Sequence, residues 1–157
     1  MVNDDSIISS DKSLENIIIE SDSASFHKDV IEASKNIPVL VDFWADWCAP
    51  CKQLTPILES AVKYYKGEIR LVKIDSEKNQ DLSKQLQIQS LPTVYAFYEG
   101  QPIDGFSGAM PENEVKDFIK KVIAASGGGK QEEIDKLISE AEELYIENNF
   151  EGALEAF

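Results

Sequence analysis

The chain has few of the residues that nucleic-acid-binding, membrane-spanning and zinc-binding proteins depend on. It carries 15 Lys or Arg against 29 Asp or Glu, a net charge of −14, so a nucleic-acid backbone would be repelled. No apolar run approaches the roughly 20 residues that cross a bilayer. With 2 cysteines and 1 histidine, the chain lacks the four ligands of a closed structural zinc site. We therefore expect no nucleic acid, no membrane and no metal among its partners.

The composition is otherwise that of a globular protein. Of the 157 residues, 43% are hydrophobic and 28% are charged, and this length suits one domain with a small appendage. Residues 1–15 lack the basic start, the apolar run of roughly 7 or more residues and the cleavage site of a secretory signal. We expect these residues to form a flexible tail and the protein to be cytoplasmic. In a reducing cytosol, a single cysteine pair favours a catalytic or metal-binding role over a structural disulfide.

The cysteine pair lies at Trp47-Cys48-Ala49-Pro50-Cys51-Lys52, directly after the apolar run from Val39 to Trp44. Such a run predicts a strand buried on both faces, so the two thiols lie where a strand passes into a helix. Two thiols separated by two residues can close into a small disulfide and reopen. A thiol in the first helical turn also has its thiolate stabilised by unpaired backbone N–H groups and the helix dipole. This pattern predicts thiol–disulfide exchange.

The hydrophobic periodicity predicts alternating strands and helices. We predict strands at residues 16–20, 39–44, 69–74, 93–98 and 103–106. We predict that Ser23 or Ser25 caps a first helix, which runs to about residue 35. A second helix should run from the cysteine pair to Gly67, with a kink at Pro56. A short third helix is predicted at 81–86, and a fourth helix should begin at Pro111. This order indicates an α/β fold in which helices cover both faces of a central mixed sheet.

The chain divides at its glycine-rich stretch. We predict a domain over 16–126, a flexible linker at 127–130 and an incomplete helical hairpin over 131–157. Residues 127–157 carry 9 acidic and 2 basic side chains, a net charge of −7, which suits a solvated helix face. The apolar spacing in this stretch also resembles a single tetratricopeptide repeat. Because such repeats need neighbours to bury their apolar faces, we expect the natural chain to be longer.

Three segments resemble the thioredoxin family: VLVDFWADWCAPCK at 39–52, SLPT at 90–93 and Gly108-Ala109. The resemblance extends from residue 16 to about 125 and implies the thioredoxin fold. Within it, QLTPILES at 53–60, PTVYAFYEGQPIDGFSG and the acidic helical tail resemble the chaperedoxins, co-chaperones that join this fold to tetratricopeptide repeats. The resemblance implies a protein-disulfide reductase that also holds unfolded clients and passes them to a chaperonin.

The resemblance also assigns catalytic roles. It implies that Cys48 is exposed and attacks the client disulfide, and that Cys51 resolves the mixed disulfide. Asp42 lies within a strand expected to be buried, where an ionised carboxylate is costly and its pKa should rise. It is therefore a candidate to accept a proton from Cys51 through water. Lys73 on the neighbouring strand would moderate that pKa shift, and Pro92 matches the family's cis-proline.

The remaining site residues would form an apolar groove that holds an extended polypeptide beside Cys48. They are Trp47, Ala49, Pro50, Leu91, Gly108 and Ala109. Ala49 departs from the glycine usual in thioredoxins, and its β-carbon narrows backbone freedom at the turn. The family needs no cofactor or metal. The implied partners are client proteins with disulfides or unfolded segments, thioredoxin reductase, and the chaperones GroEL and DnaK.

Other interpretations stay open at this point. The chain can be a plain thioredoxin with an inert tail, or a non-enzymatic chaperone adaptor that merely retains the thiols. Asp42 can be a core acid satisfied by hydrogen bonds with no part in proton transfer. His27 lies among polar neighbours of the first predicted helix, and we assign it no role.

Overall fold

A computed structural model describes residues 17–128 and 136–147 of the chain. Residues 17–128 form the sheet domain. Its elements, in chain order, are β1 (Ile18–Ser21), α1 (a π-helix at His27–Glu32 continued by a 3-10 turn at Ala33–Lys35), β2 (Val39–Trp44), α2 (Ala49–Tyr64), β3 (Arg70–Asp75), α3 (Gln80–Gln85), β4 (Thr93–Tyr98), β5 (Gln101–Ser107) and α4 (Glu112–Ala125). A further helix, α5, covers residues 136–147.

The five strands form one mixed sheet in the order β1-β3-β2-β4-β5. The first three run parallel, whereas β4 is antiparallel to β2 and β5 is antiparallel to β4. The central strand β2 is therefore hydrogen-bonded to β3 along one edge and to β4 along the other. This confirms the predicted mixed sheet and the thioredoxin fold that the resemblance implied.

Each face of the sheet packs against its own pair of helices. One apolar cluster joins Leu40 of β2 to α2 and α4, and a second joins Val39, Val41 and Phe43 to α1 and α3. Because successive strand residues point to opposite faces, Asp42 shares the face of Leu40 and lies under α2. This alternation brings the one carboxylate of β2 against the helix that starts at the cysteines.

The strand and helix predictions hold with small shifts at the element ends. The strands at 39–44 and 93–98 are confirmed as predicted, and helix α4 begins directly after Pro111. The predicted serine cap is wrong, because α1 begins after Phe26 and no side chain caps it. Pro56 lies inside α2. Helix α2 ends at Tyr64, three residues before Gly67, whose φ of +96° needs a residue without a β-carbon.

Helix α5 differs from the helices of the sheet domain because its large apolar side chains are exposed. Five of its large apolar side chains are 52–67% exposed, namely those of Leu137, Ile138, Leu144, Tyr145 and Ile146. The predicted tail at 1–15, part of the linker at 127–130 and the second helix predicted after residue 148 lie outside the described residues. Within 17–128 and 136–147, no helix is both long and apolar enough to span a bilayer.

Candidate active site

The two cysteines form a disulfide at the junction of β2 and α2. Cys48 is the N-cap of α2, and its Sγ accepts a hydrogen bond from the backbone N–H of Cys51 at 3.2 Å. Ala49 and Pro50 occupy the first helical turn, where a proline costs no hydrogen bond. The Cα atoms of the cysteines are 5.3 Å apart. Cys48 therefore lies at the positive end of a 16-residue helix, where a thiolate is stabilised.

The expectation that Cys48 is exposed is wrong for the disulfide form. Cys48 retains 3% of its accessible surface and Cys51 retains 2%. The two cysteines form a small buried cluster with Ala45, against which Trp44 and Leu91 pack. Both cysteines are therefore buried among apolar neighbours in the disulfide form.

The loop that precedes β4 lies against the disulfide. Its Leu91–Pro92 peptide bond is cis, as the resemblance implied, and Leu91 packs on the cysteine cluster. The backbone N–H of Gly108 donates a hydrogen bond to the carbonyl oxygen of Pro92 at 2.8 Å. Gly108 has a φ of +86°, a conformation in which a β-carbon would be strained. The chain thus holds Leu91, Pro92 and Gly108 together beside the disulfide.

The remaining candidate groove residues are open to solvent. Trp47 is 67% exposed, and Ala49, Pro50 and Ala109 are exposed as well. The indole N–H of Trp47 donates a hydrogen bond to Oε1 of Glu77 at 2.5 Å. This bond fixes a large apolar ring next to Cys48. The assignment of a client groove to these residues stays a prediction.

Asp42 is fully buried, and burial raises its pKa to about 6. The hydroxyl of Thr55 donates a hydrogen bond to Oδ2 at 2.8 Å and opposes that rise, as does the positive charge of Lys73. The negative charge of Glu59 adds to the rise. Oδ1 is buried and has no hydrogen-bond partner in the described part of the chain. The prediction of a buried acid with a raised pKa is confirmed.

Lys73 lies beside Asp42 on the neighbouring strand, and the two Cα atoms are partners in the β2–β3 ladder. Its charge lowers the pKa of Asp42, as predicted. Its ammonium group, however, lies 3.0 Å from Oε1 of Glu59 and 3.9 Å from Oε1 of Glu20. Lys73 therefore acts on Asp42 through space while its direct contacts are with two other carboxylates.

A groove of about 320 Å³ opens beside Cys51. It is lined by Glu20, Trp44, Ala45, Asp46, Cys51, Lys52, Thr55, Pro56 and Lys73. Asp42 is absent from this lining, whereas its hydrogen-bond partner Thr55 is part of it. The groove therefore borders Cys51 and a side chain that hydrogen-bonds to Asp42.

Three residues of the site were not found from the sequence. Thr55 and Glu59 follow Cys51 at intervals of four residues, and this spacing on one helix face could have indicated that they meet the buried acid. Glu77 lies 30 residues from Trp47, and no local pattern indicates that bond. Among residues 17–128 and 136–147, no group of three or more His, Cys, Asp or Glu side chains is arranged to hold a metal ion.

Comparison with known proteins matches the thioredoxin family model to residues 17–121, two thirds of the chain. The chain belongs to the thioredoxin family. Over 100 residues it is 40% identical to a thioredoxin of Rickettsia felis, covering 64% of this chain and 93% of the relative. It is 37% identical over 98 residues to thioredoxin 1 of Synechococcus elongatus, covering 62% and 90%. A probable thioredoxin-2 of Caenorhabditis elegans is 42% identical over 100 residues, covering 64% and 68%.

Family membership and the Cys48–Cys51 disulfide together make this chain a thioredoxin-like thiol–disulfide oxidoreductase. Protein-disulfide reductase activity is expected of it. The relatives named above are thioredoxins, and they do not distinguish a chaperedoxin from a plain thioredoxin. The chaperedoxin assignment and the tetratricopeptide-like tail are not confirmed.

Proposed function

We propose that the chain reduces disulfides of client proteins with Cys48 as nucleophile. The thiolate of Cys48 attacks one client sulfur, a Cys48–client disulfide forms, and the other client sulfur leaves as a thiolate. Cys51 then attacks Sγ of Cys48, closes the Cys48–Cys51 disulfide and releases the second client thiol. The observation that carries this assignment is the position of Cys48 at the N-cap of α2, with Cys51 one turn further into the helix.

Asp42 serves the resolving step as proton acceptor. Cys51 must lose its proton before it attacks, and the groove beside it admits water. An acid whose pKa is about 6 is ionised near neutral pH and holds an acquired proton more readily than an ordinary aspartate does. Lys73 limits this pKa shift from the neighbouring strand.

The client binds as an extended segment across Trp47, Leu91, Pro92 and Gly108. Three observations support this site: the exposed indole, the contact of Leu91 with the cysteine cluster, and the hydrogen bond that holds Gly108 to Pro92. Ala49, Pro50 and Ala109 complete its rim. Apolar surface next to the reactive sulfur lets the protein bind many clients through their backbones and short apolar side chains.

Each client reduction leaves the Cys48–Cys51 disulfide closed, so the cycle needs an electron donor. We assign this role to a thioredoxin reductase supplied by NADPH, which transfers two electrons and regenerates both thiols. A reducing cytoplasm is the compartment in which such a cycle runs.

The second part of the proposal is a co-chaperone role for the residues that follow the sheet domain. Helix α5 exposes five large apolar side chains, and clusters of exposed apolar side chains are typical of surfaces that bind other proteins. In this proposal, residues 131–157 hold unfolded client segments before these are transferred to GroEL or DnaK. A linker at 127–130 joins these residues to the domain 16–126. A plain thioredoxin with an inert tail and a non-enzymatic adaptor are the alternatives.

The reductase proposal is tested by insulin reduction with NADPH and thioredoxin reductase. Turnover by the wild-type chain and its loss in Cys48→Ser support it. Absence of wild-type turnover despite two reducible thiols would reject it in favour of the adaptor.

The holdase proposal is tested by the light scattering of an aggregating client protein. We expect suppression by wild type and by Cys48→Ser, but not by a variant in which Leu144, Tyr145 and Ile146 are replaced by serine. Replacement of Glu140, Glu142 and Glu143 by glutamine on the same helix is the matched control. Equal behaviour of the serine variant and wild type would favour the inert tail.

A further inference from the structure

Thr55 lies between the resolving cysteine and the buried acid. It follows Cys51 by four residues on α2, so the two side chains share one face of the helix. Both line the groove beside the disulfide. The hydroxyl of Thr55 donates to Oδ2 of Asp42 at 2.8 Å. One side chain therefore contacts both the groove and the acid.

Asp42 itself has no direct access to that groove. Its side chain is fully buried, it does not line the groove, and Oδ1 makes no hydrogen bond in the described residues. Water that takes a proton from Cys51 therefore meets the Thr55 hydroxyl before it meets the carboxylate. A hydroxyl can accept one hydrogen bond while it donates another, which a carboxylate or an ammonium group cannot do.

We propose that Thr55 is a positioning residue that relays the proton of Cys51 to Asp42. The proposal rests on the reductase function proposed above. The S–H bond of Cys51 breaks and its proton passes through a groove water to Oγ1 of Thr55, while the hydroxyl proton of Thr55 moves to Oδ2 of Asp42. Thr55 ends unchanged, Asp42 ends protonated, and the Cys51 thiolate attacks Sγ of Cys48.

The charged groups around Asp42 do not offer a second route. On β3, Lys73 points its ammonium group at Glu59 of α2 and Glu20 of β1. On β4, the strand partner of Asp42 is Val94, which has no charge. Within the described residues, the side chain that donates a hydrogen bond to Asp42 is that of Thr55. The relay therefore depends on the hydroxyl and not on the ion pairs.

The relay is tested by release of a coloured aromatic thiol from a mixed disulfide formed on Cys48 of the full chain. Formation of this adduct from an aromatic disulfide releases a first thiol, and attack by Cys51 on Sγ of Cys48 expels the second. The second phase of release therefore reports the resolving step alone. We expect Thr55→Val to slow release about tenfold or more, because it keeps the shape and deletes the hydroxyl. Thr55→Ser retains the hydroxyl and should restore the rate. Release at the wild-type rate from Thr55→Val would overturn the relay.

Two further readouts separate a relay from a merely structural role. In an Asp42→Asn background, Thr55→Val should have no further effect on release, because both changes interrupt one path; a full additional loss would overturn the proposal. The carboxyl carbon of Asp42, followed by NMR, should titrate about one pH unit higher in Thr55→Val, because a hydrogen bond to the ionised form is lost. An unchanged midpoint would show that the contact is absent.

The titration also distinguishes failure of the relay from failure of the reductase function. It requires no client and no turnover, so it tests the Thr55–Asp42 contact even if the wild-type chain reduces no insulin. Circular dichroism of each variant checks folding. Should Thr55→Val fail to fold, Thr55→Ala, which only deletes atoms, takes its place with the same expected outcomes.

Discussion

The two cysteines of the disulfide have different neighbours. Beside Cys48 lies an exposed indole, and the cis-proline loop packs on the cysteine cluster through Leu91. On the Cys51 side, a groove leads to Thr55 and Lys73, and the hydroxyl of Thr55 contacts Asp42 beneath α2. The first environment is suited to binding a polypeptide, and the second to moving a proton. Changes on the Cys48 side should therefore alter client binding, and changes on the Cys51 side should alter pH dependence.

The largest expected effect comes from the sulfurs themselves. Cys48→Ser should reduce insulin turnover at least about a thousandfold, to the background rate, because a serine hydroxyl is not ionised near neutral pH and cannot form a disulfide. Turnover is measured with NADPH and thioredoxin reductase. Near-normal turnover by Cys48→Ser would contradict the assignment of the nucleophile.

Asp42→Asn should act on the Cys51 side alone. We expect thiol release from a Cys48 mixed disulfide to slow about a hundredfold at pH 7, because the amide cannot take a proton. In wild type, the resolving rate should rise with pH through about 6, as Asp42 ionises. Formation of the mixed disulfide should be nearly unchanged. An equal loss in both steps would show that Asp42 supports the whole site and not the resolving step.

Asp42→Asn should also change how the stability of the protein depends on pH. Burial raises the pKa of Asp42 from 3.8 to about 6, so the folded protein binds the proton more tightly than the unfolded chain does. The associated stability is present below about pH 4 and is lost as the pH rises through 6. The free energy of unfolding of Asp42→Asn, relative to wild type, should therefore increase by about 2.5 kcal/mol from pH 4 to pH 8.

This stability difference is measured by denaturant unfolding of the oxidised proteins at both pH values. The exposed Asp46, four residues along the chain, provides the control substitution Asp46→Asn. Its effect should be small at both pH values. A pH-independent difference for Asp42→Asn would contradict the buried, weakly acidic carboxyl group.

Trp47→Ala tests the Cys48 side. Removing the exposed ring should raise the KM for a protein client about three- to tenfold with little change in kcat, because apolar contact is lost equally from substrate and transition state. Glu77→Gln, which keeps a hydrogen-bond acceptor for the indole, should change KM less. A fall in kcat with an unchanged KM would place Trp47 in the chemistry and not in binding.

The smallest expected effect is that of Ala49→Gly at the turn between the cysteines. A glycine gives the open dithiol form more backbone freedom, so closing the disulfide costs about 0.5–1 kcal/mol more. The reduction potential should rise by about 10–20 mV, measured by equilibration with glutathione. A shift in the opposite direction would show that the alanine strains the closed ring.

Much of the fold was predictable because its elements have strong local patterns. The continuous apolar run of β2 and the periodic apolar face of α4 appeared at the predicted places. The predicted serine cap failed because a cap depends on backbone geometry at one residue, and α1 is a π-helix without a side-chain cap.

In the site, the buried acid was predictable from one polar residue in a buried strand. Its contact with Thr55 was not, because it depends on how α2 lies over the sheet. The bond between Trp47 and Glu77 likewise joins residues that are distant in sequence. The burial of Cys48 also depends on tertiary packing, since Leu91 comes from a separate loop.

The division between the two cysteines is tested most directly by trapping the client on the protein. Cys51→Ser, reduced and mixed with a disulfide-containing client, should accumulate a covalent client adduct at Cys48, identified by mass spectrometry of the digested complex. Cys48→Ser should trap little client under the same conditions. Trapping at Cys51 in Cys48→Ser, at the rate and yield seen for Cys48, would contradict the division.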